Sequence, residues 1–441
     1  MNNMTTRRDF IQQATLMGAG LAFQPFTIKA GTHSVGANDK IRVGLIGCNG
    51  MGNANLNSYL KNPEVECVAL ADIDQSVLDR RAAGVEKQSG KKVNHLYKDW
   101  RRLIDQKDID VVIVATPDHW HCLQMVAACE SGKDVYCEKP LGNSIEECNI
   151  MVRAAAKYNT VVQVGQRQRS DPHWQDAVAF VRSGQLGKIR TVRVFSYQGW
   201  CPSIPVKPDE PVPEGVDYDM WLGPAPKRPF NRNRFHFTFR WFWDYAGGLM
   251  TDWGVHLLDY ALYGMDVTTP NSVMASGGKF GYPDDACETP DTLQTIYTFD
   301  GFTVLWDHAI GIDDGGYGRS HGVAFVGENG TLVVDRAGWE VIPEKVNRKE
   351  RMEAVPRINP GESLRDLDLH VKNHLECIKS RNRNCNATVE IGAHIAKFAQ
   401  LGNIAYRTGK KLVWDGKSFH DKEADKFLVK EYRNPWKLPK I

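Results

Sequence analysis

From residue 41 to residue 165 the chain alternates between short apolar runs and longer stretches with helical spacing. Ile41-Arg42-Val43-Gly44-Leu45-Ile46, Cys67-Val68-Ala69-Leu70-Ala71, Val111-Val112-Ile113-Val114-Ala115, Val135-Tyr136-Cys137 and Val161-Val162-Gln163-Val164 predict strands. The run at 111–115 is apolar throughout, as a parallel strand covered on both faces requires. Residues 121–131 and 145–158, and the stretch from the glycines near 50 to Leu60, carry helical patterns. This alternation predicts an α/β fold with a doubly wound parallel sheet. Beyond Gly165 the rhythm shifts to period-two strands at 190–194, 292–297 and 323–326, with helices at 364–380 and 391–407 and a Pro-rich loop at 202–213. The second half is expected to be an α+β domain with a large, mostly antiparallel open sheet.

The start of the chain follows neither pattern. Thr6-Arg7-Arg8-Asp9-Phe10-Ile11 is a twin-arginine sequence, followed by an apolar run over 14–23. That run is too short for a membrane span, which takes about 20 residues. Val35-Gly36-Ala37 offers a small-residue cleavage point. Positive start, short apolar core and small-residue exit have the layout of an export signal. The alternative is a surface helix that begins with Arg-Arg. The export reading puts the protein in the periplasm or elsewhere outside the cytoplasm, with no membrane span.

Charge and cysteine content narrow the partners. Lys plus Arg number 55 against 53 Asp plus Glu, with no basic stripe, so nucleic acid is not an expected partner. The 10 cysteines include no Cys-x-x-Cys, which leaves a zinc or redox motif unsupported. Most are expected to be buried small hydrophobes. His119 and His121 lack a matching third ligand, so no metal site is expected.

The first strand runs into Gly47-Cys48-Asn49-Gly50-Met51-Gly52 and then a helical stretch. This is G-x-G-x-x-G with Asn49 at the second glycine, a place where Asn is tolerated because it accepts left-handed backbone angles. The free N–H groups of the following helix favour phosphate. Asp72 ends the second strand 20 residues after Gly52, where a carboxylate accepts from adenine-ribose hydroxyls and repels a 2′-phosphate. The cofactor is expected to be NAD, with NADP less suited. Asp74 either shares that role or caps the next helix. The expected division is leader and linker at 1–37, an NAD(P)-binding Rossmann domain at 38–165, and a substrate and oligomerisation domain at 166–441.

Three further motifs are Thr116-Pro117-Asp118-His119-Trp120-His121, Cys137-Glu138-Lys139-Pro140, and Gly247-Gly248-Leu249-Met250-Thr251-Asp252-Trp253-Gly254-Val255-His256. With the glycine turn and Trp221-Leu222-Gly223-Pro224, the chain beyond the leader resembles the Gfo/Idh/MocA family, the group of glucose–fructose oxidoreductase and inositol dehydrogenase. The resemblance implies that Thr116, Pro117, His121, Glu138 and Lys139 sit at the cofactor. It also implies that Lys139, Asp252 and His256 are catalytic. Lys139 would stabilise a developing alkoxide, and His256 would take the hydroxyl proton. Asp252, on the same helical face as His256, would orient substrate or imidazole. His121 is either a cap beside the cofactor or an ordinary helix start. Arg167 and Arg169 either contact substrate or form ion pairs. Trp243 and Tyr245 either stack on a sugar or pack in the core.

The resemblance implies a sugar, polyol or glycoside substrate and a dimer or tetramer. Outside the cytoplasm there is little coenzyme pool to exchange with, so an exported enzyme would keep its nucleotide bound and recycle it. Two chemistries meet that condition. One is sugar oxidoreduction. The other is redox-neutral glycoside cleavage, for which Tyr245 and His256 are the candidate bases. A non-catalytic binder of nucleotide and sugar is the remaining alternative.

Overall fold

A computed structural model describes residues 40–360 and 366–441. The twin-arginine leader and its cleavage point lie outside the described residues. The first sheet has six parallel strands: β1 (Ile41–Ile46), β2 (Val65–Ala71), β3 (His95–Tyr97), β4 (Val111–Val114), β5 (Asp134–Cys137) and β6 (Val162–Val164). Their order is β3-β2-β1-β4-β5-β6. The connections run opposite ways from β1, so the loops leaving β1 and β4 part and open a crevice at the strands' C-terminal ends.

All four residues of β4 are buried because both faces of the sheet are covered. Val112 and Val114 pack towards Met125 and Val126 of the helix His121–Glu130 and Met151 of the helix Ile145–Lys157. Val111 and Ile113 belong to the opposite cluster, with Leu56 and Tyr59 of the helix Gly50–Leu60. Val371 and Leu375 of the helix Asp366–Ser380 complete that layer. A helix from late in the chain therefore covers a sheet formed early.

The remaining strands are β7 (Thr191–Gln198), β8 (Ser272–Gly278), β9 (Thr292–Phe299), β10 (Phe302–Ile310), β11 (His321–Val326), β12 (Gly330–Asp335), β13 (Gly338–Pro343), β14 (Lys345–Val346), β15 (Lys349–Glu350), β16 (Val355–Ile358) and β17 (Leu412–Val413). β14 and β15 form a separate hairpin. The other nine make one sheet, ordered β16-β13-β12-β11-β7-β10-β9-β8-β17, in which only β7 and β10 pair in parallel. Val194, Tyr297, Trp306 and Phe325 of this sheet share a core with the helices Pro172–Arg182, Gly254–Met265 and Val389–Thr408. All ten cysteines are free thiols, and only Cys287 is not fully buried. Among the described residues no helix is long and apolar enough to cross a membrane.

Candidate active site

The crevice opens into a cleft of about 440 Å³. One wall comes from the turns after β1, β2, β4 and β5, and the other from residues 220–252. The glycine turn is shaped by close approach. Gly47 has φ +86°, and a Cβ there would lie 2.6 Å from the Ala115 carbonyl oxygen. A Cβ on Gly52 would fall 1.8 Å from the Gly47 oxygen, so the helix starts pressed against the strand end. Gly50, at φ +37°, meets nothing within 4 Å and leaves the cleft side open. Asn49 does not adopt the left-handed angles expected of it. It is extended, at φ −93° and ψ 177°, as helix N-cap, and the positive φ values fall on Gly47 and Gly50. The turn thus leaves N–H groups at a helix start facing an open groove, a cradle that suits a pyrophosphate.

Asp72 lines the same cleft. Its Oδ2 accepts from the Cys48 N–H at 2.7 Å and its Oδ1 from the Asp74 N–H at 3.0 Å, which ties the end of β2 to the glycine turn. Burial raises its pKa, while those two backbone bonds oppose the shift. Each oxygen keeps acceptor capacity for a ribose hydroxyl. Asp74 acts differently: it caps the helix Gln75–Ser89 by accepting from the Ser76 N–H and Oγ, it pairs with His236 at 3.2 Å, and it does not line the cleft.

Beyond β4 and β5, Thr116, Pro117, Glu138 and Lys139 line the cleft with Gly47, Asn49, Gly50 and Met51. The Thr116 hydroxyl donates to Gln124 at 2.7 Å. Glu138 accepts from Asn55 at 2.9 Å and occupies space that Gly165 leaves, since a Cβ there would come within 2.7 Å of its carboxylate. The Lys139 ammonium donates to Asp252 Oδ1 at 2.7 Å and to the Asp252 carbonyl at 3.1 Å. Burial alone would raise the pKa of Asp252, but Arg240 and then Lys139 hold it at about 2.

Asp252 and His256 do not share one uninterrupted helix. Asp252 closes the helix Gly248–Asp252, Trp253 intervenes, and His256 lies in the first turn of Gly254–Met265. Asp252 bonds Lys139 rather than the imidazole, whose buried Nδ1 has no partner. Burial, reinforced by Lys139 and Arg336, lowers the His256 pKa well below its usual value and keeps the ring neutral.

Several expected contacts lie away from the cleft. His121 bridges the Pro140 and Thr116 carbonyls at 2.8 and 2.9 Å, joining the two motif loops. Arg167 pairs with Asp366 at 3.3 Å. Arg169 grips Asp259 through Nε at 2.8 and 3.0 Å, a buried pair rather than a substrate contact. Trp243 donates to the Glu288 carbonyl, and its own carbonyl accepts from Lys430. Tyr245 is fully buried against Trp221, with its hydroxyl unpartnered and its pKa raised by burial, so it is not placed as a base. Conversely, Asp118, His236, Phe237, Phe239 and Arg240 line the cleft without having been singled out. Asp118 belongs to the Thr116–His121 motif; the other four carry no spacing signal.

A family model described as oxidoreductase family, NAD-binding Rossmann fold, matches residues 41–166, and its companion for the C-terminal alpha/beta domain matches 180–438. A levoglucosan dehydrogenase of Pseudarthrobacter phenanthrenivorans is 33% identical over 170 residues, 36% of this chain and 42% of that protein. A glycosyl hydrolase family 109 protein of Shewanella sp. (strain W3-18-1) is 31% identical over 169 residues, 34% of this chain and 37% of that protein. A solved levoglucosan dehydrogenase in complex with NADH and levoglucosan superposes with TM-score 0.63 at 21% identity, over 85% of this chain and 99% of that one. At that identity the superposition speaks for the fold.

Proposed function

The chain belongs to the Gfo/Idh/MocA oxidoreductase family, with its NAD-binding Rossmann fold, and on that premise we propose that it oxidises a hydroxyl of a sugar or sugar derivative and keeps its nucleotide bound between half-reactions. The observation that carries this reading is the Lys139–Asp252 pair, which lines the same cleft as the glycine turn. When bound, the nicotinamide supplies a two-electron hydride acceptor. Lys139 donates a hydrogen bond to the substrate oxygen and stabilises negative charge as the C–H bond breaks. Asp252, whose carboxyl is held at about 2, stays ionised and fixes the ammonium in place. His256 is not among the residues that line the cleft; it stays neutral, and its unpartnered Nδ1 is the acceptor assigned to the hydroxyl proton. Asp72 favours NAD over NADP, because a 2′-phosphate would meet a half-buried carboxylate already tied into the turn.

Retention of the nucleotide is supported by a strap. Val216 forms an isolated antiparallel bridge with Asp74 just after β2. The Gln75 N–H donates to the Gly215 carbonyl at 3.2 Å, the Asp217 N–H to the Ile73 carbonyl at 2.9 Å, and Lys98 Nζ to the Gly215 carbonyl at 3.1 Å. Met220, Trp221, His236, Phe237 and Phe239 then face the glycine turn across the cleft. A dinucleotide lying there would sit between these side chains and the glycine turn. We read the strap and the twin-arginine leader together, as export of a protein already loaded with cofactor. Met274 and Ile296, paired across β8 and β9 and both exposed, suit the sheet to a homo-oligomeric contact.

The similarity to glycosyl hydrolase family 109 proteins favours a second reading, redox-neutral glycoside cleavage. The two are separated by purifying the protein without added coenzyme and recording reduced-nicotinamide absorbance while sugars and aryl glycosides are added. Stoichiometric reduction by a sugar, with turnover once an acceptor follows, is the expected result. Aglycone release without net reduction selects the glycosidase. Absence of nucleotide binding, even when it is supplied, overturns both.

A further inference from the structure

Two charged groups in the cleft keep hydrogen-bonding capacity that no neighbour uses. Asp118 is 7% exposed and lines the cleft, yet its carboxylate makes no hydrogen bond or ion pair among the described residues. A buried carboxylate without donors is costly, and such groups are normally satisfied. Arg240 lines the same cleft, its guanidinium lying over Phe237 at 4.1 Å and Phe239 at 5.5 Å. Its buried Nε has no hydrogen bond. Its ion-pair partner Asp252, 3.7 Å away, is already held by Lys139 at 2.7 Å. The two rings fix the guanidinium plane and leave the terminal N–H groups to donate elsewhere.

We propose that Asp118 and Arg240 bind neighbouring hydroxyl groups of an uncharged sugar, Asp118 accepting from an O–H and Arg240 donating to a hydroxyl oxygen, and that they select a neutral vicinal diol over a uronate. The inference rests on the oxidoreductase reading only for placing the reacting hydroxyl at Lys139. A hydroxyl both donates and accepts, so a diol satisfies the lone acceptor and the lone donor fork together.

A sugar carboxylate is excluded by charge. Among the charged side chains lining the cleft, Lys98, Lys139 and Arg240 are outnumbered by Asp72, Asp118, Glu138 and Asp252, and Lys139 is already paired with Asp252, which leaves no surplus of positive charge for another anion. Burial pushes Asp118 up to about 7, with Lys139 opposing and Asp252 reinforcing. A second carboxylate beside it would be repelled or would force it to hold its proton. Sites built to pair with hydroxyls discriminate strongly, because an unsuitable ligand leaves buried groups unpaired.

The test reads binding as well as turnover. Tryptophan fluorescence of the nucleotide-loaded protein is titrated with glucose, galactose, mannose and myo-inositol, and with glucuronate, galacturonate and mannuronate; Trp100, Trp120 and Trp221 line the cleft and report on it. A neutral sugar is expected to bind at least tenfold more tightly than its uronate. Asp118→Asn is expected to weaken that sugar at least tenfold and to erase the discrimination, and Arg240→Gln to weaken it by a similar factor, both with nucleotide retained. A uronate that binds as tightly as its neutral counterpart, no neutral sugar binding at all, or variants within twofold of the parent protein overturn the inference. Cofactor reduction followed in the same samples separates the two levels. Sugar binding that depends on Asp118 without any reduction defeats the oxidoreductase reading alone; reduction with an unchanged KM in both variants defeats this one alone.

Discussion

The two walls of the cleft are made of different material. Around the turn after β1 the functional groups are largely backbone: N–H groups at a helix start, held by Gly47 and Gly52, which admit no side chain. On the opposite side, from residue 220 to residue 252, they are side chains: Met220, Trp221, Phe237, Phe239, Arg240 and Asp252. A backbone wall offers fixed dipoles to a ligand whose phosphates do not vary. A side-chain wall can be rewritten one residue at a time, which suits it to choosing among substrates. The contrast separates holding a cofactor from selecting a sugar, and each wall should fail in its own way.

The sharpest failure is expected on the backbone wall. Gly52→Val places atoms where even a Cβ would sit 1.8 Å from the Gly47 oxygen, and Gly47 cannot retreat because the Ala115 carbonyl lies behind it. Nucleotide affinity should fall at least 100-fold, measured by calorimetric titration with circular dichroism as the control for folding. Retention of affinity within threefold would show that the turn is not the phosphate site. Next in size is Lys139→Ala, which removes the donor but leaves the glycine turn intact. Turnover should fall by about 10³, of the order found when a positioned transition-state donor is lost. The variant should still co-purify with nucleotide. Unchanged turnover would remove Lys139 from the mechanism.

The same contrast explains what could be read from the sequence. Glycines and apolar runs declare themselves locally, so β1, β2, β4 and β5, the glycine turn, Asp72 and the Lys139 and Asp252 motifs were legible. What escaped depends on pairings between distant segments. Arg167 and Arg169 carry the right chemistry for a sugar, but Asp366 and Asp259 claim them. Trp243 and Tyr245 stand next to the Asp252 motif, yet their rings are spent on Glu288, Arg407 and Trp221. The strap was invisible because its anchors are backbone bonds from Gly215 and Asp217, which any residue type can make.

A smaller effect tests whether the strap retains the nucleotide. Phe237 is 55% exposed and faces the cleft, so Phe237→Ala should barely alter thermal stability. If the ring covers bound nucleotide, its loss should raise the release rate about tenfold in a stopped-flow displacement experiment. An unchanged rate would mean that retention is owed to the backbone wall.

The smallest effect is one of sign, and it comes from Asp118. Its folded pKa, about 7, lies above the ordinary value of 3.8 because burial disfavours the charged form. Below pH 4 the group is protonated in folded and unfolded chains alike and costs nothing. As pH rises towards 7 the unfolded chain releases the proton and the folded chain does not, so stability is lost across that interval. Above 7 the full cost persists. Asp118→Asn should therefore leave Tm almost unchanged at pH 4 and raise it at pH 8, by a few degrees for a difference on the order of 1–3 kcal/mol. The gap should narrow when a bound sugar supplies the missing donors, since a satisfied carboxylate no longer bears the burial cost. A variant less stable than the parent at pH 8 would mean that Asp118 already has donors in solution. The cleft would then hold one selective group fewer, and the choice among sugars would rest on Arg240 of the side-chain wall alone.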